Sequence, residues 1–348
     1  MDVAKKANVS FMTVSRVING HNNVKKETRE KVLKAIHELG YYPNAAARAL
    51  NRNKTNVIGI IVPYYEHFLS APYFVELLLE VEKYVALRGY DLIFNTSKTK
   101  DYTILYKQRK VDGLIIVAPS IHEKSLEKLV YEHIPFVIVG GMEENKYINY
   151  VDIDNFKGMR QAVGYLLNLG HKRIGIVTGI LHVIDGKQRL DGYITTLKSH
   201  GIDIDENLIF HGNFTEKSGY EALYHFLSLK HPPTAIFCSN DHMALGVYKA
   251  AHEKNITIPD DLSVIGFDDI HLTSYITPPL TTIRQPIDKL GRTTARLLID
   301  CIEKKLTAVR KIVIEPKLII RLSCRQHVCL NQELKSPTLP SNGCDHYS

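Results

Sequence analysis

The sequence predicts a small all-α head followed by an α/β body of two lobes with parallel sheets. Three observations carry that prediction. Short amphipathic helical segments fill the first 43 residues and stop at Pro43, whereas from residue 57 buried apolar runs alternate with longer amphipathic segments. The body repeats itself: "NVIGIIVP" and "KRIGIVTG" put Ile58 and Ile174 116 residues apart, and the junctions after the following helices put Gly89 and Gly201 112 apart. Charge divides at the same boundary. Residues 1–56 hold 11 Lys and Arg against 4 Asp and Glu, and the whole chain 44 against 37, so residues 57–348 balance at 33 against 33. A basic head on a neutral body points to a polyanion partner for the head alone.

In the head, Asp2 opens a first helix whose Val3, Ala4 and Ala7 face inward. Asn8 suits a left-handed turn, because its short amide tolerates positive φ. Ser10 then caps a second helix, "FMTVSRVI", with Val14, Val17 and Ile18 as its buried face. The third helix lies in "ETREKVLKAIHELG", with Val32, Leu33, Ile36 and Leu39 at helical spacing. Gly40 ends it and Pro43 blocks continuation.

Two short helices joined by a tight turn and braced by a third make a helix-turn-helix. The second helix of that motif enters the major groove of double-stranded DNA with its N-terminal residues at the base edges. Arg16 can donate two hydrogen bonds to guanine, and Phe11 and Met12 can pack on thymine methyls. Thr13 and Ser15 are placed for phosphates. The alternative makes Phe11 and Met12 core residues of a small bundle. "PNAAARAL" follows, where Asn44 can cap a two-turn helix too short to persist alone in water. Such a hinge helix folds on its partner, with Asn44, Ala47 and Leu50 against DNA and Leu50 wedged between base steps of the minor groove. The alternative is a linker with one apolar spot.

The body begins with the strand "NVIGIIVP", the helix "YFVELLLEVEKYVALRG" and the strands "YDLIFNTS" and "VDGLIIVAP". Alternation of this kind gives parallel sheets covered on both faces. Two such lobes leave a crevice at the carboxyl ends of their strands, where ligands bind. Polar residues gather at those ends. Asn240 and Asp241 follow "TAIFCS", Asp268 and Asp269 follow "SVIGF", Asp154 follows "NYVDI", Gln285 lies in "LTTIRQP", and Arg189 opens the helix after "IGIVTG". For Asp241 and Asp269, capping or turn formation competes with ligand contact.

The stretch "DVAKKANVSFMTVSRVING…ETREKVLKAIHELGYYPNAAARAL" resembles the lactose-repressor (LacI/GalR) family of bacterial transcription regulators, and the likeness continues to about residues 321–323. The resemblance implies a periplasmic-binding-protein-like body and a repressor that binds a DNA operator as a homodimer under control of a small-molecule effector. It places effector contacts at Arg189, Asn240, Asp268 and Gln285, a stacking wall at Phe214, and Tyr73 and Phe74 on the opposite lobe. Carboxylate and amide groups grip hydroxyls while a ring packs on the apolar face of a sugar. The chain departs from the family in several places. Asn8 replaces a common Gly, and Lys25 stands where a capping Ser is usual. Gly140 and Gly141 stand where several sugar-binding members carry an Asp. Val183 stands where a purine-binding member carries a ligand-gripping Arg. These departures favour a sugar or sugar phosphate over a purine.

The resulting domain expectation is a helix-turn-helix over 1–43, a hinge over 44–56, an effector-binding and dimerisation body over 57–323 and a disordered tail over 324–348. The tail has no leucine heptads, which favours a dimer over a tetramer. No G-x-S-x-G, P-loop, H-E-x-x-H or strand-borne G-x-G-x-x-G occurs, so neither an enzyme nor a cofactor or metal is expected. No apolar run reaches a membrane span and no export signal precedes the first helix, which argues against a transport-type binding protein. Five cysteines without a C-x-x-C pair fit a reduced, cytoplasmic protein, with Cys238 a small buried thiol.

Overall fold

The computed structural model describes residues 2–18, 23–41, 54–63, 72–97, 101–121, 123–141 and 146–327. Three helices form the head: α1 (Asp2–Ala7), α2 (Phe11–Ile18) and α3 (Lys26–Glu38). Val3, Ala7, Val14, Val17, Val32 and Ala35 close its core. Asn8 holds φ at 51°, and the Thr13 amide donates to Ser10 Oγ at 3.1 Å, so the turn and the cap follow from those two side chains. Lys25 gives α3 no side-chain cap, and a Lys6–Glu38 ion pair at 2.9 Å ties α1 to α3. Leu33 and Leu39 correct the sequence reading, because both are exposed. Two helices of six and eight residues cover only a narrow stripe of α3, which Val32, Ala35 and Ile36 fill.

The first lobe runs β1 (Val57–Pro63), α4 (Pro72–Leu87), β2 (Asp91–Ser97), α5 (Ile104–Lys107), β3 (Gly113–Val117), α6 (Ser125–Tyr131), β4 (Phe136–Val139) and β5 (Tyr150–Ile153). The chain then crosses to a second lobe: α7 (Asn155–Asn168), β6 (Ile174–Val177), α8 (Ile184–Ser199), β7 (Ile209–Phe210), α9 (Glu216–Ser228), β8 (Ala235–Cys238), α10 (Asp241–Glu253), β9 (Ser263–Asp268) and β10 (Thr281–Arg284). It returns to the first lobe for α11 (Ile287–Ile302) and β11 (Lys311–Ile314) and crosses once more to β12 (Lys317–Ile319). The sheets are ordered β11-β5-β4-β3-β1-β2 and β12-β10-β9-β8-β6-β7. The internal repeat is real: α4 and α8 both end in a glycine turn, at Gly89 with φ 74° and Gly201 with φ 70°.

Side chains alternate between the two faces of each sheet, as the period of a strand requires. Ile115 and Val117 of β3 join one core of the first lobe while Leu114 and Ile116 join the other. Ala235 and Phe237 of β8 pack under α7 and α8, and Ile236 and Cys238 under α9 and α10. Cys238 is a buried thiol, as its apolar neighbours predict. Among the described residues every strand pair is parallel except β10–β12. That exception has a topological cause. All three crossings leave a strand at its carboxyl end, so β12 enters its sheet from the side where β10 finishes and must run against it.

The boundary at residue 323 also needs correction. The Arg325 amide donates to Ser263 Oγ at 3.1 Å, the His327 amide donates to the Leu169 carbonyl, and the His327 ring stacks on His171 with centroids 5.3 Å apart. The body therefore extends through His327, because these residues satisfy polar groups at the base of the second lobe. Among the described residues no helix is long and apolar enough to cross a membrane.

Where the chain enters the body, one carboxylate fixes it. Asp112 accepts from the Thr55 amide at 2.7 Å, the Thr55 hydroxyl at 2.8 Å and the Asn56 amide at 2.8 Å. Asp112→Ala leaves those donors without their acceptor and should cost about 1–3 kcal/mol. We expect a lower urea midpoint and faster amide exchange at Thr55 and Asn56. Unchanged exchange there would show that the clasp does not hold the segment.

Candidate functional site

The start of α2 carries the first cluster of candidates. Phe11 is 69% exposed and Met12 61% exposed, which removes the alternative that they form the bundle core. Arg16 is exposed one turn on, while Val14 and Val17 bury the opposite side. The Thr13 hydroxyl bonds to Ser10 Oγ at 2.9 Å, and Ser15 is half-buried. The helix therefore presents two apolar side chains at its N-terminal end and a guanidinium in its last turn, with small hydroxyl residues beside them. Asn44, Ala47 and Leu50 lie outside the described residues.

The second cluster forms where the carboxyl ends of the strands of both lobes meet. Arg189 is its centre. It does not open the helix, as the sequence reading held; α8 begins at Ile184, and Arg189 lies in its second turn. That placement buries the guanidinium, which is 4% exposed. Its Nε donates to Asn155 Oδ1 at 2.8 Å and its Nη1 to the Ser239 carbonyl at 2.5 Å. It also stacks on the Phe267 ring at 3.7 Å. Phe214 lies 5.9 Å away, with its ring against Gly179, where a Cβ would stand 2.0 Å from it.

Asp268 ends β9 with φ at 124°, and Gln285 Nε2 donates to it at 2.7 Å. Burial pushes its carboxyl up to about 6, although Arg189, the Gln285 amide and His242 pull the other way. Tyr73 stands on the opposite lobe. Burial raises its hydroxyl well above the usual phenol range, and it feels the charges of Asp185, Asp268, Arg189 and Asp152 at once. Tyr73 also packs against the core of the first lobe, so it stands at the edge of that core within the field of those charges.

Other candidates have different duties. Phe74 is buried in the core of the first lobe, with its ring 5.6 Å from Phe94. Asn240 caps α10 by accepting from the Met243 amide at 2.9 Å and donates to the Phe214 carbonyl at 3.0 Å, so its amide braces the wall. Asp154 caps α7. Asp241 is buried and accepts from Thr282 Oγ1 and the Ile270 amide. Asp269 pairs with Arg284 and Arg321. For Asp241 and Asp269, turn and ion-pair duties are what the geometry displays.

Several cleft residues were not singled out from the sequence. Asp152, 5% exposed, projects from β5 of the first lobe; its Oδ2 lies 2.6 Å from where a Cβ on Gly141 would stand. The carboxylate missing at Gly140 and Gly141 is thus supplied by the neighbouring strand. Asp185, in the first turn of α8, receives Asn155 Nδ2 at 3.4 Å. Burial raises both carboxyls, and in Asp152 the charge of Asp185 adds to the rise. In the sequence Asp152 is one polar residue of a strand and Asp185 looks like an ordinary acid at a helix start. Val183 turns its side chain into the core of the first lobe, and its backbone bridges to Ser120 across the lobes. Among the described residues no group of three or more His, Cys, Asp and Glu side chains could hold a metal ion.

A helix-turn-helix head on a two-lobed body, with a polar cleft between the lobes, defines a ligand-controlled DNA-binding regulator. Comparison with known proteins agrees. Residues 1–44 match the family of bacterial regulatory proteins, lacI family, and residues 163–324 match a periplasmic binding protein-like domain. The HTH-type transcriptional repressor PurR of Escherichia fergusonii is 41% identical over 329 residues, covering 92% of this chain and 95% of the relative. Among solved structures, the lac repressor dimer bound to operator and the anti-inducer ONPF superposes with a TM-score of 0.84 at 27% identity, covering 93% and 98% of the two chains. The transcriptional regulator CelR–cellobiose complex superposes with a TM-score of 0.71 at 31% identity, covering 92% and 98%. The chain belongs to the LacI family of transcription regulators. Its homologues are repressors and not enzymes.

Asp268 gives the cleft a pH signature. Its folded value of about 6 lies above the ordinary aspartate value of about 3.9, so the folded state binds the proton more tightly. The stability this confers is complete below the unfolded value and is lost as pH rises through the folded one. Asp268→Asn should therefore gain stability relative to the parent between about pH 5 and about pH 7.5, by about 1.4 kcal/mol. Urea unfolding of both proteins at the two pH values measures it; a pH-independent difference would place Asp268 in a wetter site.

Proposed function

We propose that two copies of this chain bind a near-palindromic operator, that each α2 reads one half-site, and that a hydroxylated small molecule in the interlobe cleft controls the complex as a repressor. The observation that carries the reading is the convergence of Tyr73, Arg189, Asp268 and Gln285 with the Phe214 ring at the carboxyl ends of the strands. The chemistry suits a sugar or sugar phosphate: an aromatic wall for the apolar face of a ring, and carboxylate and amide oxygens for its hydroxyls. A planar purine is less well served, because Val183 faces away from the cleft into an apolar core. The solved relatives supply parallels, one a cellobiose complex and one a dimer on operator with ONPF. Two-fold pairing of heads matches operator symmetry to protein symmetry.

In this scheme Phe11, Met12 and Arg16 read base edges while Thr13 and Ser15 approach the backbone. Asn44, Ala47 and Leu50 form the hinge contact, and the two Leu50 side chains wedge the central minor groove. The body works by population shift: a ligand that prefers one arrangement of the lobes changes the spacing of the hinges. Localisation in the cytoplasm, where the operator is, follows from the same reading.

Selection of bound sequences from random duplexes tests the proposal, and protein that enriches no motif defeats it. Arg16→Ala should then lose preference at one base pair per half-site and about 1–3 kcal/mol of specific binding; equal losses on specific and random DNA would mean that Arg16 touches only phosphate. Leu50→Ala should reduce the operator bend, read by cyclisation or gel mobility, and an unchanged bend removes the wedge.

A further inference from the structure

The charge of the cleft narrows the ligand further, and this step rests on reading the cleft as the effector site. Asp152 comes from the first lobe, and Asp185 and Asp268 come from the second. Among the described residues, one guanidinium stands against these three carboxyls, Arg189, whose bonds to Asn155 and Ser239 end on neutral oxygens. The partners of the acids are also neutral: Asp152 accepts from the Ile153 amide at 2.7 Å, Asp185 from Asn155 and Asp268 from Gln285. A cavity of about 410 Å³ adjoins Asp268 and Gln285, and its remaining lining continues the imbalance, with Glu76, Glu80, Asp269 and Asp288 against Lys83 and Arg284.

Buried hydrogen-bonding capacity is left open at the ends of the strands that Arg189 anchors. Thr178 and Ser239 are fully buried, and neither hydroxyl has a partner. They follow β6 and β8, which are paired neighbours. Val177 and Cys238 point toward α9 and α10, so alternation turns the next residues toward the α7–α8 side, where Arg189 grips the Ser239 carbonyl. Nε2 of His242, whose charge reaches Asp268, also lacks a partner. Buried polar atoms of this kind cost free energy unless something bonds to them.

We infer that the effector is a phosphate-free polyol, neutral or, as the better fit, amine-bearing, whose hydroxyl or ammonium hydrogens bridge Asp152 on one lobe to Asp185 and Asp268 on the other. Such a ligand donates to the carboxylates and to Thr178 and Ser239 together. A phosphate would bring a further negative charge among the acids, where Arg189, already engaged with Asn155 and Ser239, is the one guanidinium among the described residues to receive it. Like charges brought together in a low-dielectric site repel strongly.

The test is thermal unfolding of the full-length protein with matched ligands, followed by calorimetric titration of those that stabilise it. The probes are ribose, glucose and glucosamine, each paired with its phosphate ester, ribose 5-phosphate, glucose 6-phosphate or glucosamine 6-phosphate, with inorganic phosphate as the free anion. At least one neutral or amine-bearing member should bind, about tenfold or more tightly than its phosphorylated form. In the Asp152→Asn, Asp185→Asn double variant that ratio should shrink. Phosphorylated members binding as well or better overturn this inference while leaving a hydroxylated effector intact. A ratio unchanged in the double variant also overturns it, because the carboxylates would then not be its source. A panel in which nothing binds removes the sugar-class reading, and this inference with it.

Discussion

The cleft depends on one buried guanidinium. An arginine removed from water is tolerable only if its fork of donors is met, and here the acceptors are the Asn155 amide oxygen and the Ser239 carbonyl, with Phe267 as a floor. Those contacts tie α8 to the start of α7 and to the end of β8. They also hold α8 so that Asp185, one turn earlier, reaches the interface between the lobes. Arg189 draws the carboxyls around it downward, but their burial outweighs it and leaves them with raised protonation. The site is organised by a cation yet remains acidic.

The path of the chain turns that site into a lever. Three crossings between lobes leave at the carboxyl ends of strands, beside the cleft, and neighbouring crossings bond to each other, as in the Asp154 amide donating to the Ile314 carbonyl at 2.9 Å. Movement of one lobe on the other must flex these short segments together. A second contact, the backbone bridge between Ser120 and Val183, spans the lobes and seats Val183 in the core of the first. Asp112 anchors the entering chain to the same lobe through three hydrogen bonds. A rotation of that lobe is therefore delivered to the point where the body begins, with no flexible length in between at residues 55 and 56.

Much of this was legible in the sequence because its causes are local. The Asn8 turn, the Ser10 cap and the buried Val14 and Val17 leave Phe11 and Met12 with nowhere to go but solvent. Strand–helix alternation and the repeated glycine turns at Gly89 and Gly201 give the doubled lobe. What was not legible depends on three-dimensional neighbours. Helical spacing cannot reveal that α1 and α2 are too short to cover Leu33 and Leu39. Nor does it distinguish Tyr73, which reaches the cleft, from Phe74, which the core takes. The Gly140–Gly141 pair reads as the loss of an acid, yet Asp152 on the adjacent strand occupies the vacated space. Position in a motif and position in the cleft are different things when strands lie side by side.

That substitution bears on why a ligand would favour one arrangement of the lobes. A ligand shifts a conformational equilibrium only as far as it binds the two states differently. Asp152 and Asp185 belong to different lobes, and burial raises both carboxyls, so bringing them together without a ligand costs either charge repulsion or the uptake of a proton. A donor placed between them reverses the sign of that term in the closed arrangement and leaves the open arrangement nearly unaffected, because separated carboxylates are already solvated. Differential affinity then comes from the acids themselves and not from extra contact area. On the proposed reading of the cleft, the same two residues that oppose closure without a ligand would make closure responsive to one.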